Sequence, residues 1–214
     1  SVPRISPEAP VPVLEKSRET EMPGGAANVA TNLASLGCNV CLVAVTGADT
    51  RGHPIAELLG ANMAIDFHQV IDADRPTTTK TRFRADGQQV LRFDEEVKDS
   101  ISTPVKQQLM ETFSAALKQA DLVIISDYAK GCVPPDMIAE ITLATRAAGK
   151  MVVVDPKLAD FKAYAGASLL TPNLSELRKT GALPRDALED IAKAASSLAT
   201  SHGMDAILIT LSAR

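Results

Sequence analysis

The sequence lacks any run of about 18 apolar residues, which excludes a membrane-spanning helix. It also lacks the charged and apolar regions of a signal peptide: residues 1–12 are polar and proline-rich, and position 1 is Ser rather than Met, so a natural start is expected elsewhere. There is no basic excess either. The formal charge is −4 and the pI is near 5.4, where a nucleic-acid protein carries a basic stripe. A local basic pocket for a phosphate stays open, because net charge governs solubility and not sites. No G-x-G-x-x-G follows a strand-like segment, which argues against a dinucleotide-binding domain. Cysteine is scarce, and three of them, an odd number, point to a reducing cytoplasm. Cys38-Asn39-Val40-Cys41 is a CxxC, yet zinc needs two further ligands, and Cys132 and the three His show no matching pair. A redox CxxC opens a helix, whereas this one runs into the strand-like stretch 39–45, so Cys38 and Cys41 are expected to be small core residues.

What is present is core-forming material. Hydrophobic residues make up 45% of the 214 positions, which excludes a disordered chain. From residue 24 onward, helix-like and strand-like segments alternate, the pattern of a parallel sheet with crossover helices. Residues 28–36 read as a helix stopped at Gly37, and Val105, Leu109, Phe113 and Leu117 recur every four residues as one apolar stripe. Strands are expected at 40–45, 122–125, 151–154, 169–170 and 206–211, with further helices at 134–148 and 187–199. Two stretches break the rhythm. Residues 11–15 and 65–93 read as antiparallel, with 77–83 and 88–93 joined across Ala85-Asp86-Gly87, where Asp-Gly supplies the positive φ of a hairpin turn. Lys80, Arg82 and Arg84 alternate with Thr79, Thr81 and Phe83, so the basic side chains share one face of a small lid. No repeat, low-complexity tract or linker divides residues 1–214.

Four motifs can carry chemistry. Pro23-Gly24-Gly25-Ala26-Ala27-Asn28 places two glycines at a helix start, where a ligand approaches the backbone closely and Asn28 can meet a sugar hydroxyl; the plainer reading is a tight turn. Ser126-Asp127-Tyr128-Ala129-Lys130-Gly131 follows a strand, at the end where ligands of open α/β sheets collect. There Asp127 can orient a hydroxyl and Lys130 can meet a phosphate. Asp155-Pro156-Lys157 and Thr171-Pro172-Asn173-Leu174-Ser175-Glu176 end the next two strands. Asn173 and Glu176, three apart, suit a hydrated Mg²⁺, but the residues alone favour a helix cap with Glu at the favourable end of the dipole.

In this order and spacing, Gly24-Gly25-x-x-Asn28, Asp155-Pro156-Lys157 and Thr171-Pro172-Asn173-x-x-Glu176 resemble the ribokinase (phosphofructokinase B) family. Arg4-Ile5-Ser6-Pro7-Glu8-Ala9-Pro10-Val11-Pro12 and Ser126-Asp127-Tyr128-Ala129-Lys130-Gly131 resemble its D-glycero-β-D-manno-heptose 7-phosphate kinases in particular. The resemblance implies a ribokinase-like three-layer α/β/α fold with a mostly parallel central sheet. A small antiparallel β-lid, about residues 4–20 and 65–96, would join it and often forms a homodimer clasp. It implies transfer of the γ-phosphoryl group of ATP, with Mg²⁺, to the anomeric hydroxyl of heptose 7-phosphate in the cytoplasm, a step toward ADP-heptose for lipopolysaccharide cores. Carried over, Gly24, Gly25, Asn28, Asp127 and Lys130 bind the sugar. Lys157, Asn173, Glu176 and Thr210 face the nucleotide, with Asn173 and Glu176 toward the metal. Lys80, Arg82 and Arg92, the last within Gln88-Gln89-Val90-Leu91-Arg92-Phe93-Asp94, are basic candidates for the 7-phosphate.

The family's catalytic base is an Asp in a Gly-Ala-Gly-Asp segment, and these 214 residues contain no such segment. The base is therefore expected beyond residue 214, and a first, Asp-bearing strand before the Arg-Ile-Ser-Pro run, so the fold is expected to be incomplete here and the isolated chain inactive. Two alternatives remain: a kinase of this family for another sugar or sugar phosphate, and a non-catalytic sugar-binding module.

Overall fold

The computed structural model describes residues 4–8, 12–13, 15–183, 185 and 187–211. Strands β1 (Arg4–Ile5) and β2 (Pro12–Val13) form an antiparallel ribbon. Of the stretches read from sequence, Ala9, Pro10, Val11 and Leu14 lie outside the described residues, as do Ser212, Ala213 and Arg214. Helix α1 (Gly25–Ser35) starts three residues earlier than the Ala/Leu pattern indicated, with Gly24 extended at its N-cap.

Strand β3 (Val40–Gly47), helix α2 (Gly52–Gly60) and strand β4 (Ile65–Asp72) follow. Here the structure corrects the sequence. β4 was read as antiparallel lid, but it runs parallel to β3, in register from Val40 opposite Ile65 to Gly47 opposite Asp72. The cause is the helix between them: a helical crossover returns the chain to the same end of the sheet and makes the pair parallel. Period-2 alternation along 65–72 reports a half-exposed strand but not its direction. The two faces of the β3–β4 pair belong to different clusters. Leu42 and Ile65 pack with Ala27 and Ala30 of α1 and Leu59 of α2, while Val43, Val45 and Val70 join the larger core.

The small antiparallel sheet expected of a lid is the hairpin β5 (Thr79–Ala85) and β6 (Gln88–Glu95). Asp86 and Gly87 both take positive φ, 50° and 80°, as the two-residue turn requires.

Helix α3 (Thr103–Leu117) presents the expected stripe: Leu109 and Phe113 are buried, and Val105 and Leu117 pack beside them. Then come β7 (Leu122–Ser126), α4 (Pro135–Ala147), β8 (Met151–Asp155), a 3₁₀ turn (Phe161–Tyr164), β9 (Leu169–Leu170), α5 (Leu174–Lys179), α6 (Leu188–Ser201) and β10 (Ala206–Ile207). β7, β8, β9 and β10 are neighbours in that order, all parallel. Met137, Ile138, Val152, Val154, Phe161, Tyr164, Leu170 and Leu177 are essentially inaccessible at the centre of the large core. Each apolar side chain of this size contributes roughly 1.5–3 kcal/mol by leaving water.

The cysteine reading also needs correction. Cys38 and Cys41 are exposed, not core, and Cys132 is half-buried. Cys38 lies in the turn after α1, and Cys41 precedes Val43, where the packed part of that strand face begins. The neighbours that sequence spacing could not supply are Asp66 and His68 on β4, whose donor atoms lie with the Cys41 thiol within 4.8 Å of one another. Among the described residues no helix is long and apolar enough to cross a membrane.

Candidate active site

The parallel strands β7, β8 and β9 release their chains at one edge, so the segments after them converge there. Asp127 is buried just beyond β7. Its Oδ1 accepts from the Ala129 N–H at 2.7 Å and its Oδ2 from the Tyr164 hydroxyl at 2.5 Å. The same hydroxyl accepts from the backbone N–H groups of Lys157 at 3.0 Å and Leu158 at 2.9 Å. One buried phenol thus ties the segment after β7 to the segment after β8. Burial, reinforced by the bond to Asp127, raises the Tyr164 pKa and keeps the phenol a donor. Asp127, read from sequence as able to orient a hydroxyl, has each oxygen engaged within the protein.

After β9, Asn173 and Glu176 form a capping box on α5. Asn173 Oδ1 accepts from the Glu176 N–H and Glu176 Oε2 from the Asn173 N–H, both at 2.9 Å. The remaining Glu176 oxygen meets the Lys157 ammonium at 2.9 Å, with Glu176 buried and Lys157 half-exposed. That hydrogen bond raises the Lys157 pKa. Burial, with the Glu176 charge adding to it, pushes the Asp155 carboxyl up as well. Thr210 completes this end, bridged to Asn173 and accepting from the Leu174 N–H at 3.2 Å. The sequence offered cap or metal ligand for Asn173 and Glu176, and the cap is present. Its donors are also hard oxygens, the class Mg²⁺ takes.

At the α1 end, Gly24 and Asn28 are exposed, and a Cβ added to Gly25 would stand 3.7 Å from the Tyr128 ring. The glycine segment therefore abuts the loop that carries Asp127 and Lys130.

On the lid, Lys80 pairs with Asp94 at 3.0 Å and Glu96 at 2.9 Å, and Arg92 with Asp94 at 3.0 Å. Arg82 stands directly opposite Arg92 in the hairpin register, and both are exposed. Lys130, in the core loop, pairs with the other oxygen of Glu96. Lys80, Arg82, Arg92 and Lys130 are thereby gathered at the hairpin, whereas Lys157, Asn173, Glu176 and Thr210 gather beyond the ends of β8 and β9, where a crevice is expected in such sheets.

Sequence reasoning missed the residues that fasten the lid. Arg75 is buried against Asp72 at 2.9 Å and donates to the carbonyls of Asp99 at 2.8 Å and Lys130 at 3.1 Å. Asp49 accepts from Thr77 N–H at 2.8 Å and Thr77 Oγ1 at 2.7 Å, and the hydroxyl bond chiefly lowers its pKa. Gly131 has φ +72°, and a Cβ there would lie 1.9 Å from the Asp99 carbonyl oxygen. Little local marks Arg75 or Asp49: apart from Asp72, three residues before Arg75, the partners named above lie 24 to 55 positions away. Tyr164 offered one signal, as one of only two tyrosines.

The pfkB family carbohydrate kinase model matches residues 2–214. The chain belongs to the pfkB family of carbohydrate kinases. Among curated relatives, this pfkB-family chain is 42% identical over 212 residues to the bifunctional protein HldE of Paramagnetospirillum magneticum, covering 99% of the chain and 43% of that protein. It is 44% identical over 211 residues to HldE of Azorhizobium caulinodans, covering 98% and 44%. The pfkB-family chain thus spans less than half the length of these relatives. Among solved structures it superposes on the tetrameric inhibited form of phosphofructokinase-2 from Escherichia coli with a TM-score of 0.71 at 22% identity, over 98% of this chain and 68% of that one. A carbohydrate kinase from Agrobacterium tumefaciens gives 0.64 at 21% identity, over 94% and 65%. These similarities establish the ribokinase-like α/β fold.

Proposed function

We propose that residues 1–214 are part of one sugar-kinase domain whose full-length protein phosphorylates D-glycero-β-D-manno-heptose 7-phosphate at the anomeric hydroxyl with ATP. The product is the 1,7-bisphosphate, toward ADP-heptose and lipopolysaccharide cores, in the cytoplasm. The observation that carries this reading is a continuous set of contacts joining two charged ends. Lys157 and Glu176 lie at one end and Lys130, Lys80 and Arg92 at the other, with Tyr164 and Asp127 between them. A substrate carrying its own phosphate, set against a nucleotide, needs cations at both ends. The HldE relatives direct the choice of sugar.

In this reading Gly24, Gly25, Asn28, Asp127 and Lys130 hold the sugar, and Lys80, Arg82 and Arg92 close on its 7-phosphate. Lys157 and Thr210 face the nucleotide phosphates, and Asn173 and Glu176 hold Mg²⁺ through water. The metal, when bound, neutralises charge on the β- and γ-phosphates. The proton acceptor is assigned outside the crevice residues above, because Asp127 is committed to Tyr164 and Ala129. A homodimer through the lid fits the hairpin's second face, where Phe83, Leu91 and Phe93 stand together and are 40%, 55% and 53% exposed.

The test is turnover by the purified full-length protein with ATP and a panel of phosphorylated sugars, following ADP release and the ³¹P signal of the product. The highest kcat/KM is expected with the heptose 7-phosphate. Preference for another sugar overturns the substrate, and binding without turnover on any sugar leaves a sugar-binding module.

A further inference from the structure

Glu96 directly follows β6, in the link between the hairpin and α3. Its carboxylate lies between two lysines from different parts of the fold. Oε2 accepts from Lys80 on β5 at 2.9 Å, and Oε1 accepts from Lys130 in the loop after β7. The side chain is only 16% exposed, and the lysines on either side are 33% and 22% exposed. One ammonium on each oxygen is how a pair of lysines grips a single anion. Hydrogen bonds from Lys130 and then Lys80 hold the Glu96 carboxyl at about 2, so it remains an anion throughout the physiological range. Asp94 adds a second carboxylate on Lys80 and Arg92. Three cations therefore face two carboxylates, and the cluster offers an incoming dianion little net attraction while both carboxylates stay in place.

We propose that Glu96 is a built-in stand-in for the substrate phosphate: it fills the Lys80–Lys130 fork in the free protein, and a sugar phosphate binds by displacing it. That the incoming anion is a sugar phosphate rests on the function proposed above; the fork and its occupant rest on geometry alone. The device selects by charge. A monoanion brings no more charge than the carboxylate already tethered beside the fork and loses to it, whereas a phosphate dianion brings a second charge and more acceptor oxygens. Glu96 also ties Lys80 of the hairpin to the Lys130 loop, so its release opens that contact while Arg75 and Asp49 keep the base of the hairpin fastened.

The probe is inorganic phosphate, titrated calorimetrically at low salt into the full-length protein. Glu96→Gln keeps the shape and removes the charge, and Asp94 still holds Lys80. It is expected to tighten phosphate binding about tenfold, consistent with removing one like charge a few ångströms away. Adding Lys130→Met to that variant is expected to cancel the gain. Glu189→Gln, which removes the same charge on the distant helix α6, is expected to leave affinity within twofold. Unchanged or weaker phosphate binding by Glu96→Gln overturns the proposal, as does a gain that survives Lys130→Met. Tighter phosphate binding without turnover of any sugar phosphate sinks the kinase reading and leaves this inference standing. Turnover with unchanged phosphate affinity sinks this inference alone.

Discussion

The crevice and the hairpin above it hold their charges in opposite ways. In the crevice, Tyr164 and Glu176 are buried; the Tyr164 hydroxyl accepts from two backbone N–H groups, and the Glu176 carboxylate from one beside the Lys157 ammonium. On the hairpin, Lys80, Arg92 and Asp94 are joined side chain to side chain, with solvent at their edges. A buried polar group without its partner costs its full desolvation, whereas an exposed ion pair exchanges partners at little cost. The crevice is thus built to stay in place and the hairpin to trade partners. Arg75 marks the border, a buried cation that binds the base of the hairpin to the loop carrying Lys130.

Four measurements sharpen or break that contrast. Arg75→Leu is expected to cost the most, about 3–5 kcal/mol, because it strands the buried Asp72 charge and frees two carbonyls; urea unfolding reads it. A loss below about 1 kcal/mol would place the border among the exchangeable pairs. Tyr164→Phe keeps the ring and removes three hydrogen bonds, with an expected loss of about 2 kcal/mol and a lower melting temperature. Arg92→Met is expected to change stability by less than about 0.5 kcal/mol. Its effect is expected instead in the KM for the sugar phosphate, with kcat nearly unchanged. An equal fall in stability would make the hairpin as fixed as the crevice.

The smallest effect is pH-dependent. Glu96 is held at about 2, below its ordinary value of 4.5. A carboxylate lowered on folding contributes stability that is full above the ordinary value and lost as pH falls toward the folded one. The hairpin–core link should therefore survive to about pH 4.5 and fade between there and pH 2. Hydrogen exchange along β5 and β6 checks this, and the contribution should vanish in Glu96→Gln.

The legible parts of the molecule were local. The stripe through Leu109 and Phe113 announced α3, because a helix repeats its buried face every turn, and Asp86-Gly87 announced the hairpin, because few pairs accept two positive φ values. Asn173 and Glu176 were visible for the same reason, since a capping box closes within three residues. The direction of β4 was legible in principle from the helix before it, and grouping residues 65–72 with the antiparallel hairpin that follows misread it. Cys38 and Cys41 were misplaced because Cys38 falls in the turn after α1 and Cys41 on the strand face before its packed part begins, and spacing shows neither.

By itself, then, the sequence determined the order of strands and helices, the hairpin, the family and the short motifs at strand ends, all properties that neighbouring residues express together. Tertiary structure alone decided that Tyr164 would reach Asp127, that Arg75 would reach Asp99 and Lys130, and that Glu96 would lie between Lys80 and Lys130. Those contacts join residues 24 to 55 positions apart, except Lys80 with Glu96 at 16. No spacing rule reaches so far; only the packing of the parallel strands, and of the antiparallel hairpin against their loops, brings these residues together.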